Sequence, residues 1–248
     1  MRQVDIARLI GHAVAYQCLS SHIGPSSWSY MWLNQGISML LAMDTIQQIL
    51  PYPIKDLFVV QTLQESLRLD VDSIMNPLVS EVNGPSDNDS GFYFAYYLKA
   101  PAILRMLQQI LGEKVFQNGV NKYLSNDPSY SGKTNIEAFW TAMQAAHEEH
   151  KYDVEHFNVK ERIEAWTTRE HYPVIKVTQN ETFITVTTES TNTSEKKWWI
   201  PYSANVIDDL YFPLSLQPIS YILSGEGQIT YKNEKHKFTI ANLKQIGK

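Results

Sequence analysis

Four positions near the N-terminus have the spacing of a zinc-binding motif but only one of its side chains. The HExxH motif places two histidine ligands four residues apart on one face of a helix, with a glutamate as general base between them. This chain has His12, Ala13 and Tyr16 at those positions. After 18 further residues comes Gln35, where the HExxH-x18-E form of the motif has a glutamate as third ligand. The spacing predicts that His12 and Tyr16 project from the same helix face.

The substituted side chains lack the chemistry of a hydrolytic zinc site. Such a site needs three protein ligands, and an open position for a water that the metal acidifies. A phenol, which is all that Tyr16 supplies, is a poor zinc ligand because it stays protonated at neutral pH. Gln35 offers a neutral amide oxygen, and Ala13 has a methyl group where the general base would stand. The sequence therefore predicts no metal ion and no working catalytic residue here.

Further blocks along the chain resemble, in the same order, the gluzincin aminopeptidases of the membrane alanyl aminopeptidase type (peptidase family M one). Trp28 and the block WLNQGIS at residues 32–38 are similar to the Trp-containing loop and WLNEGFA block of that family. The segment YLKAPAILRML at residues 97–107 resembles the family pattern Tyr-x-Lys-Gly-Ala-x-x-Leu-Arg-Met-Leu. The resemblance continues to ANLKQIG at residues 241–247 and so covers nearly the whole chain.

The resemblance implies a role for each position of the degenerate motif. The zinc ligands of the family correspond to His12, Tyr16 and Gln35, and its general base corresponds to Ala13. Tyr97 corresponds to the tyrosine that stabilises the oxyanion in the family, a hydrogen-bond donor role. Zinc is the cofactor of the family, whereas none is expected in this chain. Without metal or base, packing or surface hydrogen bonding is the expected role of Tyr97.

The leading functional prediction is a catalytically inactive aminopeptidase homologue that binds a partner or acts as a scaffold. Two alternatives stay open: a zinc metallo-aminopeptidase with residual activity through an unorthodox metal site, and a truncated isoform or fragment without function. No segment of this sequence resembles the N-terminal β-domain, the exopeptidase strand or the large C-terminal helical domain of the family. We therefore expect that Ala13→Glu, Tyr16→His and Gln35→Glu together would not restore exopeptidase action.

A peptide-binding groove is the non-catalytic role that the inherited scaffold suggests. Tyr16, Trp28, Trp32, Gln35 and Tyr97 are the candidate lining residues. Aromatic residues at such places are also ordinary core residues, and that is the favoured interpretation. The partners that this hypothesis implies are peptides or another protein chain.

Composition excludes several other classes of function. The formal net charge of the 248 residues is -5 and unclustered, so neither nucleic acid nor an anionic membrane surface is an expected partner. The sequence has no uncharged run of about 18 apolar residues, so no transmembrane segment is predicted. The N-terminal residues do not resemble a secretory signal. The family suggests a plasma-membrane ectodomain or a secreted protein.

Single residues and short motifs give three further expectations. Cys18, the one cysteine, excludes an internal disulfide and is expected to be a buried thiol. His147 and His150 lie three residues apart, a spacing that places two possible metal ligands on one helix face. A solvated, charged helix end is the favoured interpretation of this pair. Three sequons are N-glycosylation acceptors if the chain enters the secretory pathway; their asparagines are Asn88, Asn180 and Asn192.

The predicted fold is mainly α with a C-terminal β module. Residues 1–170 resemble the helical part of a thermolysin-like catalytic domain, and residues 171–248 a β-sandwich truncated at its C-terminal end. Within 92–111, Pro101 predicts a kink near Tyr97 because proline removes a backbone donor inside a helix. Helices are predicted at 4–22, 30–50, 54–69, 92–111, 113–124, 134–150 and 158–168. Strands are predicted at 174–178, 182–187, 198–201, 219–222, 228–231 and 237–240.

Overall fold

The computed structural model describes most of the chain and divides it into two compact units. The described residues are 2–24, 27–71, 77–79, 94–125, 136–150, 157–188, 198–208, 220–223, 228–232 and 237–242. The first unit is Met1–His171 and the second is Tyr172–Lys248. The first is helical and the second contains the strands, so the prediction of a mainly α chain with a C-terminal β part is confirmed.

Eight α-helices form the described part of the first unit. They are α1 (Arg2–His22), α2 (Met31–Ile49), α3 (Ile54–Phe58), α4 (Gln64–Val71), α5 (Ala100–Leu111), α6 (Glu113–Ser125), α7 (Ile136–Glu149) and α8 (Val159–Thr168). A 3-10 turn at Trp28–Tyr30 precedes α2, and two π-helical segments, Val59–Leu63 and Ala95–Lys99, precede α4 and α5. No helix in the described part of the chain is long and apolar enough to cross a bilayer.

Helix α1 packs one side against α2 and leaves its other side in solvent. Its Val4 joins a core cluster with residues of α2, α3, the π segment Val59–Leu63 and α5. The outward side carries large apolar side chains that are at least half exposed, namely Ile6, Leu9, Ile10 and Val14. Cys18 is also exposed, so the expectation of a buried thiol was wrong. Hydrophobicity alone could not show which side of α1 would be covered.

The irregularity expected near Tyr97 takes the form of a π turn. Pro101 is the second residue of α5, which continues the π segment Ala95–Lys99 without a break, so its missing N–H removes one backbone donor at this junction. The backbone N–H of Ala100 donates to the carbonyl of Ala95, five residues back. The chain therefore enters α5 through a wider turn that contains Tyr97. Such π turns often occur at functional sites.

A buried ion pair anchors this π turn. Lys99 is 0% exposed, and its Nζ lies 3.1 Å from Asp70 Oδ1 and 3.2 Å from the carbonyl oxygen of Arg169. The Nδ1 of His171 lies 2.8 Å from the backbone carbonyl oxygen of Asp70. Burial lowers the pKa of Lys99, and the carboxylate of Asp70 opposes that shift. The pair joins α4, the π turn and the chain after α8.

The second unit consists of short antiparallel strands. They are β1 (Ile175–Gln179), β2 (Phe183–Thr188), β3 (Trp199–Tyr202), β4 (Ala204–Asp208), β5 (Ser220–Leu223), β6 (Ile229–Lys232) and β7 (Lys237–Ala241). They pair in the orders β1-β2-β6, β3-β5 and β4-β7. Ile184 and Val186 of β2 are buried while their neighbours face outward, as period-2 alternation predicts. Strand β4 was not predicted from the sequence.

Candidate functional site

The positions of the degenerate zinc motif converge in the folded chain. His12 and Tyr16 lie one turn apart on α1, with ring centroids 6.2 Å apart. The ring of Tyr97, on the π turn before α5, lies edge-on to His12 at 5.7 Å. Gln35, near the start of α2, donates from Nε2 to the hydroxyl oxygen of Tyr97 over 3.4 Å. We call His12, Tyr16, Gln35 and Tyr97 the polar cluster.

Close packing of α2 against α5 fixes the position of Gln35. A Cβ added to the neighbouring Gly36 would lie 2.7 Å from Leu104 Cδ1 and 3.2 Å from the carbonyl carbon of Ala100. A larger residue would require Leu104 to move and the Ala100 backbone to shift by a few tenths of an ångström, so glycine favours this close approach. Gln35 is consequently 4% exposed, and its carboxamide is held between α1 and the π turn.

The polar cluster is electrically neutral near pH 7. Burial lowers the pKa of His12 below its usual 6.5, and the Gln35 side chain offsets only part of that shift. In the described part of the chain, His12 Nε2 and Gln35 Oε1 are buried without a hydrogen-bond partner. A half-turn of the Gln35 carboxamide would exchange its donor and acceptor ends, so that it could donate to His12 and accept from Tyr97. The cluster can thus satisfy its own hydrogen bonds.

Acidification should cost the wild-type chain more stability than a His12→Gln variant. The folded state lowers the pKa of His12, so its contribution is fully present above the unfolded value of 6.5. That contribution is lost as the pH falls below 6.5 toward the folded value, since the unfolded chain then binds the proton more readily. Urea unfolding of both proteins between about pH 7.5 and pH 5 measures the difference. Equal losses of unfolding free energy would show that His12 is not held neutral.

The remaining residues predicted for the site have different surroundings. Trp28 is 43% exposed on the 3-10 turn, and its carbonyl accepts a hydrogen bond from the Tyr96 hydroxyl at 3.1 Å. Trp32 is 0% exposed, and its side chain belongs to the core. Ala13 is exposed on α1. Asn180 is exposed between β1 and β2, whereas Asn88 and Asn192 lie outside the described residues.

The His147 and His150 pair is not a shared site on a solvated helix. Helix α7 ends at Glu149, so His150 lies beyond it and is exposed. His147 is buried, with its ring centroid 4.5 Å from that of Phe157. The solvated interpretation was therefore right for His150 and wrong for His147. Packing against Phe157, ten residues later in the sequence, accounts for the burial of His147.

A family model for the peptidase family M1 domain matches residues 1–166. The chain belongs to peptidase family M1. It is 29% identical over 171 residues to Aminopeptidase M1 of Arabidopsis thaliana, covering 68% of this chain and 18% of that protein. It is 24% identical over 256 residues to Aminopeptidase N of Plutella xylostella, covering 98% and 26%. It is 28% identical over 183 residues to the Thyrotropin-releasing hormone-degrading ectoenzyme of Mus musculus, covering 72% and 16%.

This M1 chain therefore spans about a quarter or less of the length of these curated relatives, between 16% and 26%. The family model ends at residue 166, within α8, so it covers nearly all of the helical unit. The polar cluster lies entirely within the matched residues. The inherited spacing and the observed convergence thus belong to the same M1 domain.

His12, Tyr16 and Gln35 together do not fit a catalytic zinc ion. Zinc sites of this class use imidazole and carboxylate ligands and leave one position for water. His12 could supply an imidazole, but the other two donors are a phenol and a neutral carboxamide, and Ala13 has no group that could accept a proton. Within the described part of the chain, no three residues among His, Cys, Asp and Glu are grouped to hold a metal ion.

Sequence reasoning missed Arg8, a charged neighbour of the polar cluster in this M1 chain. Arg8 lies one helical turn before His12 and donates to Gln61, and also to the hydroxyl oxygen of Thr62 at 3.2 Å. Burial lowers the pKa of its guanidinium. These bonds tie α1 to the π segment Val59–Leu63. The one available signal was an arginine four residues before His12 in a largely apolar helix.

Proposed function

We propose that this M1 chain is a non-hydrolysing homologue that acts by binding a partner or as a scaffold. The observation that carries the proposal is the donor set of the polar cluster. Its positions converge in the fold, but they bring together an imidazole, two phenols and a carboxamide. No carboxylate is present among these four residues to bind a divalent cation or to activate water.

The charge of the cluster supports binding rather than catalysis. A general base must have a pKa near the working pH and reach the proton that it removes. His12 is the one cluster residue whose side chain could act as a general base, and none of the other three residues is a carboxylate that could orient its imidazole. The neutral groups instead pack and hydrogen-bond with one another across α1, α2 and the π turn, which is compatible with a non-catalytic binding or scaffold role.

Peptides or another protein chain are the proposed partners, with the half-exposed Trp28 as the accessible aromatic residue. For the fold, we propose that residues 1–170 correspond to the helical part of a thermolysin-like domain and 171–248 to a β-sandwich. The name of the mouse relative describes an ectoenzyme, and on that basis we propose that this chain also acts outside the cell.

Zinc analysis and an activity assay on the purified chain test the loss of hydrolysis. Purified protein should retain well under about one tenth of an equivalent of zinc after dialysis, because two of the three ligand positions lack a zinc-binding side chain. It should also release no arylamine from aminoacyl-arylamides, with an active aminopeptidase as the assay control. Stoichiometric zinc together with turnover that a chelator abolishes would establish the residual-enzyme alternative.

Calorimetry with short peptides tests the groove separately. Saturable heat that Trp28→Ala abolishes would support a peptide-binding surface at the 3-10 turn. A matched control is Trp199→Ala, which lies in the second unit. Absence of any saturable heat would reject peptides as partners and leave the scaffold role.

A further inference from the structure

We propose that Asn180 is an N-glycan acceptor displayed on the turn between β1 and β2. Asn180, Glu181 and Thr182 form a sequon of the Asn-x-Thr type. A sequon is used only when both its asparagine and its hydroxyl residue can enter a transferase. All three residues are exposed, as is Phe183 after them, so the whole sequon projects from the end of a hairpin.

Hydrogen bonds define the shape of this turn. The Oδ1 of Asn180 accepts the backbone N–H of Thr182 at 2.9 Å and that of Phe183 at 2.6 Å. The backbone N–H of Asn180 donates to the carbonyl of Phe183 at 2.9 Å, which closes the hairpin. The side chain of asparagine thus forms an Asx turn over its own sequon. This arrangement uses the oxygen of the carboxamide and brings the hydroxyl residue beside it.

The chemistry of transfer is compatible with this geometry. The co-reactant is a lipid-linked oligosaccharide pyrophosphate. Asn180 Nδ2 forms a bond to C1 of the first sugar while the bond from C1 to the pyrophosphate oxygen breaks, and the electron pair leaves with the pyrophosphate. One Nδ2 proton is released to a base of the transferase. The Oδ1 atom takes no part in bond making, so its two hydrogen bonds to the turn can persist in the product.

Strand pairing gives the turn a fixed base. β1 and β2 are antiparallel from Ile175 with Thr188 to Gln179 with Ile184. β2 pairs on its other edge with β6, from Phe183 with Lys232 to Val186 with Ile229. The sequon therefore lies at the end of a three-stranded sheet. A glycan at this place would extend away from the strand ladder without breaking any of its hydrogen bonds.

The inference rests on the proposed extracellular location, because the donor is available only in the secretory pathway. The chain, directed there by a fused leader in cultured animal cells, should carry a glycan on the peptide that contains Asn180. The direct measurement is mass spectrometry of whole-cell and secreted protein, with and without peptide-N-glycosidase. Recovery of that peptide wholly unmodified, whether or not Asn88 or Asn192 is occupied, would overturn the inference.

Three variants separate modification from folding. Asn180→Asp keeps an oxygen that can accept both turn hydrogen bonds but removes the nitrogen that is modified, so it should lose one glycan. Thr182→Ala should lose the same glycan, and Thr182→Ser should keep it. If the Asn180→Asp variant migrates on a gel at the same position as the wild type, Asn180 is not a glycosylation site. Zinc content and hydrolysis are measured on unglycosylated bacterial protein, so failure here leaves the proposed function intact.

Discussion

Combining Ala13→Glu, Tyr16→His and Gln35→Glu should give a chain that retains about one zinc ion per molecule, where the wild type retains almost none. His12 and Tyr16 occupy one face of α1, and Gln35 and Tyr97 meet them from α2 and the π turn. The substitutions would supply a second imidazole and a carboxylate to a site whose backbone spacing is already inherited. The expected change is from trace to stoichiometric metal, measured by elemental analysis after dialysis.

The controls for this gain of zinc test whether the positions truly converge. Adding His12→Ala to the triple variant should abolish retention, because only two ligands would then remain. Ala13→Glu alone should bind no zinc, since it supplies a general base and not a ligand. A folded triple variant without zinc would contradict the convergence of α1 and α2 at this place. The wild-type polar cluster would then be a core feature unrelated to a former metal site.

The sequence predicted the site's spacing better than its surroundings. The interval between His12 and Gln35 places the two residues together because α1 and α2 pack against each other, as the resemblance implied. The exposure of Cys18 did not follow, whereas the complete burial of Trp32 agrees with the core role that the sequence favoured for it. Both depend on which faces of α1 and α2 are covered, and that is decided by distant segments and not by local periodicity.

Local signals also account for which parts of the fold were predicted. The helix predicted at 4–22 is α1, and the one at 113–124 is α6, because apolar spacing is a property of the segment itself. Strand β4 was missed because Ala204–Asp208 is short and pairs with β7, which begins 29 residues after β4 ends. Its apolar residues alternate too briefly to be distinguished from a loop.

The ion pair between Lys99 and Asp70 was missed because the two residues are 29 positions apart in the sequence. Its removal is the largest expected effect on stability. Lys99→Met should lower the free energy of unfolding by about 3–5 kcal/mol. Lys99 and Asp70 have side chains that are 0% and 3% exposed, and methionine would leave the carboxylate buried without its cation. The loss should appear as a lower urea midpoint with an unchanged slope.

A double variant distinguishes the lost charge partner from lost packing. Lys99→Met with Asp70→Leu removes both charges and should recover most of the stability, because an apolar pair of similar volume often replaces a buried ion pair without loss. The single variant should also weaken the contact between Gln35 and Tyr97, since Lys99 holds the π turn that carries Tyr97. Zinc retention by the triple variant measures this effect. Adding Lys99→Met to the triple variant should reduce zinc retention, whereas adding both Lys99→Met and Asp70→Leu should not. Equal destabilisation by the single and double variants would show that Lys99 acts through the packing of its carbon chain.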